Sequence, residues 1–161
     1  MRLVADETDP RANSRRGGIR LALFTLRFAE KWRAAWRDND RTLIMGAVVA
    51  ITEERLTRAE LEPELRDVKN PIPADRFAKC TISSIAAATG FSRETTRRKV
   101  GELVREGLLV RDERGRITFR EGLFQEDSKL ALFHEQLEAV GRLATELLQD
   151  GVLKLDSSAK D

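Results

Sequence analysis

A mostly α-helical chain carrying one small β-hairpin is the architecture the sequence predicts, on three observations. Apolar residues recur at helical spacing over residues 19–37, 92–106 and 121–149, and residues 40–56 are apolar almost all round in their middle. Cap residues and glycines then punctuate the middle of the chain, with Thr81 or Ser83 ahead of a short apolar run, Gly90 closing it, Ser92 opening the next and Gly107 ending that one. Finally, the runs 108–111 and 116–119 flank the turn Asp112-Glu113-Arg114-Gly115, whose glycine suits a left-handed position. With 161 residues and 41% apolar content, the chain can bury one core, so a single domain is expected over residues 19–149.

The elements follow in chain order. Residues 1–18 are polar, rich in turn formers and end in Arg15-Arg16-Gly17-Gly18, which predicts a disordered basic arm. Over residues 19–37, Leu21, Phe24, Phe28, Trp32 and Ala35 form one stripe, with Trp36 at its margin. Leu23 and Leu26 point away from it and suggest a second contact surface. In residues 40–56 the apolar Leu43, Ile44, Ala47, Val48, Ala50 and Ile51 cannot share one stripe, which predicts a helix buried all round at the centre of the domain. Residues 59–79 form a connection broken by Pro63, Pro71 and Pro73, with a short helix over residues 59–68 and an extended stretch around Asn70-Pro71-Ile72-Pro73.

Residues 80–120 carry the chemistry. Ile85, Ala86 and Ala87 belong to the first short helix; on the second, Thr96, Val100, Leu103 and Gly107 recur at spacings of 4, 3 and 4 and predict a buried face. Glu94, Arg98, Gly101 and Arg105 project from the other side, flanked by Thr95 and Arg97. Two helices joined by a tight turn and followed by a hairpin make a winged helix-turn-helix, flanked here by N-terminal helices and a C-terminal helix. Residues 91–120 hold nine Lys or Arg against five acids, whereas residues 121–161 hold four against nine. Positive charge crowded into the first two turns of a helix opposes its dipole, so such a placement answers to an anionic partner. Duplex DNA needs cations on a rigid element and side chains near a helix N-terminus that reach base edges. Arg93, Thr95, Arg97 and Arg98 fit that role, with Glu94 an acceptor for a cytosine amino group, Ser83 and Ser92 donors to phosphate, and Arg114 and Arg116 in the hairpin phosphate contacts. Ion pairing within a solvated helix face, through Arg98 and Glu102 for example, is the ordinary alternative.

The combination of Ile85-Ala86, Thr89-Gly90-Phe91-Ser92, Arg93-Glu94-Thr95, Arg97-Arg98, Leu103 and Gly107-Leu108-Leu109 resembles bacterial winged-helix transcription regulators, and the helical frame is similar to the MarR family. The match covers about the central quarter of the chain. Thr96, in place of the Val or Ile usual there, and the proline-containing connection depart from that family. The resemblance implies a DNA-binding regulator, usually a homodimer, whose second motif helix (residues 92–106) enters the major groove while the wing (108–119) lies on the backbone. It leaves open whether a small effector ligand controls it.

In residues 121–149, Leu130, Phe133, Leu137, Val140, Ala144 and Leu147 alternate spacings of 3 and 4, the seam of a helix that packs along another helix, and predict a dimerisation helix. Gly151 stops it, and residues 150–161 are expected to form a flexible tail.

Other function classes are excluded by what is missing. One Cys and one His cannot supply an internal disulfide, a structural zinc site or a Cys-His catalytic pair with an orienting group, so no metal and no cofactor is expected; Cys80 reads as a small buried hydrophobe and His134 as surface. No phosphate loop, dinucleotide fingerprint or nucleophile elbow is present, which argues against an enzyme. Acids at positions 6, 7 and 9 argue against a signal peptide and the charge-free run 42–52 is too short to span a bilayer, so a cytoplasmic protein with no membrane partner is expected. The competing function, from another class, is a winged-helix protein-interaction or assembly module without specific DNA binding.

Overall fold

The structure, a computed structural model, describes residues 2–6, 13–58, 62–73 and 76–156. It is mostly helical. Strand β1 (Arg2–Ala5) precedes helices α1 (Ser14–Trp36) and α2 (Asn39–Arg58), a 3-10 turn (Pro63–Arg66), helices α3 (Ile82–Thr89) and α4 (Arg93–Arg105), strands β2 (Leu109–Arg111) and β3 (Ile117–Phe119), a second 3-10 turn (Leu123–Gln125), helix α5 (Asp127–Gln149) and strand β4 (Leu153–Asp156). Where the sequence predicts one domain, the chain divides into two compact units, Met1–Lys31 with Leu132–Asp161, and Trp32–Ala131.

The first unit joins the two ends of the chain. β1 and β4 pair antiparallel, Arg2 opposite Asp156 and Ala5 opposite Leu153. The arm expected to be disordered through residue 18 therefore contains a strand and the first turn of α1, and the tail expected to be flexible from residue 150 supplies the strand's partner. Residues 1, 7–12 and 157–161 of those segments lie outside the described residues. Pairing between positions so far apart leaves no local sequence pattern, which is why periodicity misses it. Gly151 ends α5 in the left-handed region (φ +67°), as its position predicts, and turns the chain so that Val152 meets Gly17, where a Cβ would come within 3.0 Å of the valine side chain. α1 and α5 face each other across a groove of about 510 Å³, bridged by Arg20 to Glu146 (2.9 Å) and Asp150 (3.0 Å) and by Lys31 to Glu135 (3.0 Å).

In the second unit α2 packs on α3, α4 and β3. Ile44, Met45, Val48 and Thr52 of α2, Ile85 of α3, Val100 and Leu103 of α4, Leu109 of β2 and Ile117 of β3 are all at most 1% exposed. The rings of Phe77, Phe119 and Phe124 extend this core with edge-on contacts at 4.7 and 4.9 Å. α2 departs from its expectation. Leu43 is 52% exposed and Gly46 and Ala50 are exposed too, so the helix buries one face rather than its whole circumference. Small and β-branched residues there look apolar all round without needing burial all round. Of the short helix expected over residues 59–68, the described residues hold only the 3-10 turn that begins at Pro63.

Among the described residues no helix is long and apolar enough to cross a membrane.

Candidate nucleic-acid interface

The candidate site is built on α3, α4 and the β2-β3 hairpin. Thr81 caps α3 in a reciprocal box with Ser84: the Ser84 amide donates to the Thr81 hydroxyl (3.1 Å) and the Thr81 amide to the Ser84 hydroxyl (2.9 Å). Gly90 ends α3 at φ +74°, its amide bonded to the Ala86 carbonyl. Ser92 then accepts the Thr95 amide at 3.1 Å and opens α4 only two residues later. This tight corner is fixed from beneath by Thr96, which is fully buried and donates its hydroxyl to the Ser92 carbonyl at 3.0 Å. A Val or Ile at that position would pack as well but could not make this bond. Thr96, Val100 and Leu103 form the buried face that their spacing predicts; Gly107 does not share it, being exposed at φ +70° just beyond the helix.

The expected contact residues stand in solvent. Ser83, Ser92, Arg93, Glu94, Arg97 and Arg98 are exposed and Thr95 is half-buried. They are not idle. Arg97 donates to Glu94 at 2.8 Å and Arg98 to Glu102 at 2.9 Å, while the Arg93 guanidinium bonds the Ser83 hydroxyl and so links the first turns of α3 and α4. Exposed pairs of this kind contribute little to stability and exchange readily for another acceptor. The cluster can therefore present three guanidinium groups within two helical turns to an anionic surface.

The hairpin pairs Leu109 with Phe119 and Arg111 with Ile117. Cys80 adds a bridge on its other side, exchanging two backbone hydrogen bonds of 2.8 Å with Ile117. Its thiol is fully buried, as expected, and burial pushes its pKa up to about 11, which leaves it chemically inert. The turn is organised by Asp112. Its carboxylate accepts the amides of Arg114 (3.0 Å) and Arg116 (2.8 Å), the Arg116 Nε (3.0 Å) and the Lys79 ammonium (3.2 Å); the Arg116 amide first, then the Lys79 and Arg116 side chains, hold its pKa down at about 2. The two arginines expected to act alike thus differ: Arg116 is tied to Asp112, whereas among the described residues the Arg114 side chain has no ion pair. Arg111, which the sequence does not single out, is likewise exposed and unpaired among the described residues; a charged side chain on a three-residue strand gives no signal beyond the general excess of positive charge.

On the opposite edge of α4, Lys99 reaches Asp38 at 2.8 Å and Glu106 receives Arg41 of α2 in a two-pronged ion pair. Neither pair is legible in the sequence, since the partners lie 61 and 65 residues apart.

The expected dimerisation residues on α5 separate. Leu137 (71% exposed) and Val140 (48%) face solvent and Leu130, Phe133 and Ala144 are half-buried, but Leu147 is 7% exposed and belongs to the buried residues of α5 together with Leu132 and Gln136. A stripe drawn at spacings of 3 and 4 drifts around a helix, so its last member has rotated onto the chain's own packing face.

Among the described residues no cluster of three His, Cys, Asp or Glu could hold a metal ion. Comparison with protein-family models, with curated proteins and with solved structures finds no match.

Proposed function

We propose that the chain is a sequence-specific double-stranded DNA-binding transcriptional regulator that acts as a homodimer, with α4 as recognition helix in the major groove and the β2-β3 hairpin as a wing on the phosphate backbone. One observation carries the reading. Arg93, Arg97 and Arg98 are all exposed within the first two turns of α4, a helix held in place by the buried Thr96, Val100 and Leu103. That places cations where the helix dipole favours acids, on an element rigid enough to present them to a groove.

The dimer is supported by the first unit. Among the described residues, nine of the twelve exposed large apolar ones, Ile19, Leu21, Leu23, Leu26 and Phe28 of α1 included, lie in that unit, but only two of the seventeen buried ones, Leu132 and Leu147, do. Two helices that bury so little apolar surface gain stability from a further copy.

A second reading is favoured by the ion pairs themselves. Arg97 and Arg98 are both held by carboxylates, Glu94 and Glu102. A partner protein with acidic side chains could take the same places, making the domain an interaction or assembly module. Fluorescence anisotropy with duplexes selected from random sequence, against scrambled ones and over a salt series, separates the two. A regulator binds the selected duplex more tightly and both with steep salt dependence; no duplex binding at low salt leaves the interaction module.

A further inference from the structure

We propose that Asp38, just before α2, and Arg41, in its first turn, are positioning residues that set the height and rotation at which α4 presents Arg97 and Arg98. The inference rests on the DNA-binding reading above and concerns how that surface discriminates among sequences.

Ion pairs of opposite polarity connect this short segment to α4, Lys99 meeting Asp38 and, at 3.8 Å, Asp40, and Arg41 meeting Glu106. Asp38 takes the Lys99 ammonium at 2.8 Å, with the lysine side chain only 13% exposed. Arg41, itself 6% exposed, donates through Nη1 to Glu106 Oε1 at 2.9 Å and through Nη2 to Oε2. Lys99 and Glu106 are seven residues apart, close to two full turns, so both anchors lie along one line of α4. Because the order is acid then base from the residue before α2 into its first turn, and base then acid from α4 to its C-terminal cap Glu106, only one register satisfies both pairs. Sliding α4 one way along this line would bring Lys99 toward Arg41, and sliding it the other way would bring Glu106 toward Asp38, like charge against like in either direction.

The platform is itself fixed. Asp38 accepts the Arg41 amide at 2.7 Å, and its carbonyl accepts the Thr42 hydroxyl at 2.9 Å. Before it, Arg37 stands at φ +74°, a left-handed conformation that a non-glycine residue holds only where its surroundings impose it. Trp36, 2% exposed beneath the Lys129 ammonium, anchors that bend.

The ionic solution is poorly explained by stability. Burying a guanidinium is costly, and Arg41 also leaves its Nε buried with no hydrogen-bond partner among the described residues. An apolar pair of similar size would hold α2 against α4 as well or better. What the charges add is direction. Reading base edges requires side chains held to within a fraction of an ångström, whereas phosphate contacts tolerate a shift.

The test replaces the Arg41-Glu106 pair with Arg41→Met together with Glu106→Leu, which leaves the net charge unchanged, and separately makes Arg41→Lys, which keeps the charge but loses the fork. Thermal unfolding by circular dichroism is read with anisotropy on a selected and a scrambled duplex. Expected are an unfolding temperature near the parent's, unchanged binding of the scrambled duplex, and a loss of about tenfold in the ratio between the two duplexes for the apolar pair. Arg41→Lys should give an intermediate ratio. A folded apolar variant that discriminates like the parent overturns the proposal, as does an equal loss on both duplexes. Should the apolar variant not fold, a full parental ratio in Arg41→Lys overturns it by itself. A parent that binds no duplex defeats the DNA reading and this inference with it, an outcome distinct from a parent that discriminates and variants that do so equally.

Discussion

Glu94 holds the Arg97 guanidinium through three hydrogen bonds of 2.8, 2.9 and 3.2 Å, one turn apart on an exposed helix face. Both side chains are mostly in solvent, so the pair stores little energy and is replaced when a better acceptor arrives. The O6 and N7 of guanine are such an acceptor, because they match the guanidinium fork in a single plane. Arg98, paired with Glu102 at 2.9 Å, stands in the same relation to its helix.

From this comes the first prediction. Arg97→Ala or Arg98→Ala should lower affinity for a selected duplex by about tenfold to a hundredfold, with a smaller loss on scrambled DNA. Unfolding should hardly change, since only exposed pairs are removed. Anisotropy with circular dichroism measures both, and parental binding by both variants would leave these arginines without the assigned role.

How much of this is legible in the sequence depends on how far apart the partners lie in the chain. The corner between α3 and α4 is written locally, in Thr81, Gly90 and Ser92, and the buried face of α4 in the spacing of Thr96, Val100 and Leu103; each involves neighbours within a few turns. The pairing of β1 with β4 joins residue 2 to residue 156, and the anchors Asp38 and Arg41 reach α4 across more than sixty residues. Nothing in a local window encodes such a pairing. Leu147 shows a subtler limit: spacing places a residue on a stripe, but the stripe does not say which neighbour covers it.

The hairpin arginines should differ in their effect on binding. Arg114 has no ion pair among the described residues, so Arg114→Ala should weaken every duplex alike and lower the salt slope by about 0.9, the share of a single phosphate that is no longer neutralised. Arg116 already spends its Nε on Asp112 at 3.0 Å, and Arg116→Ala should change the slope less. A change of preferred sequence in Arg114→Ala at constant slope would instead mean that the hairpin reads bases.

Asp112 makes the hairpin acid-sensitive in a defined window. Its pKa in the folded chain is about 2, below the ordinary 3.8, chiefly through the bond from the Arg116 amide. A depressed carboxyl pKa stabilises the fold above the unfolded value, and that stability is lost as pH falls through the folded one. The contribution of Asp112 should therefore be complete above about pH 4 and fade toward pH 2. Asp112→Asn should be less stable than the parent at neutral pH, and the difference should narrow across this window. Urea unfolding from pH 2 to 6 checks it; a difference that stays constant with pH would show that the carboxylate is not what holds the turn.

The assembly prediction separates two leucines that share one stripe in the sequence. Leu137 and Val140 are exposed, and a homodimer that covers this face of α5 would be broken by Leu137→Glu with Val140→Glu, because paired carboxylates cannot be desolvated against an apolar neighbour. The double variant should stay folded, since neither side chain contributes to the buried core, and should sediment as a monomer where the parent sediments as a dimer at micromolar concentration. Leu147 is 7% exposed and should behave differently: Leu147→Ala removes buried side-chain volume and should destabilise the chain by about 2–4 kcal/mol, lowering the dimer population only through unfolding. Sedimentation velocity and urea unfolding on the three proteins resolve these effects. A monomeric parent, or a folded double variant that remains dimeric, would take the partner off this face of α5 and leave the exposed leucines of α1, Leu23 and Leu26, as the surface on which to repeat the substitution.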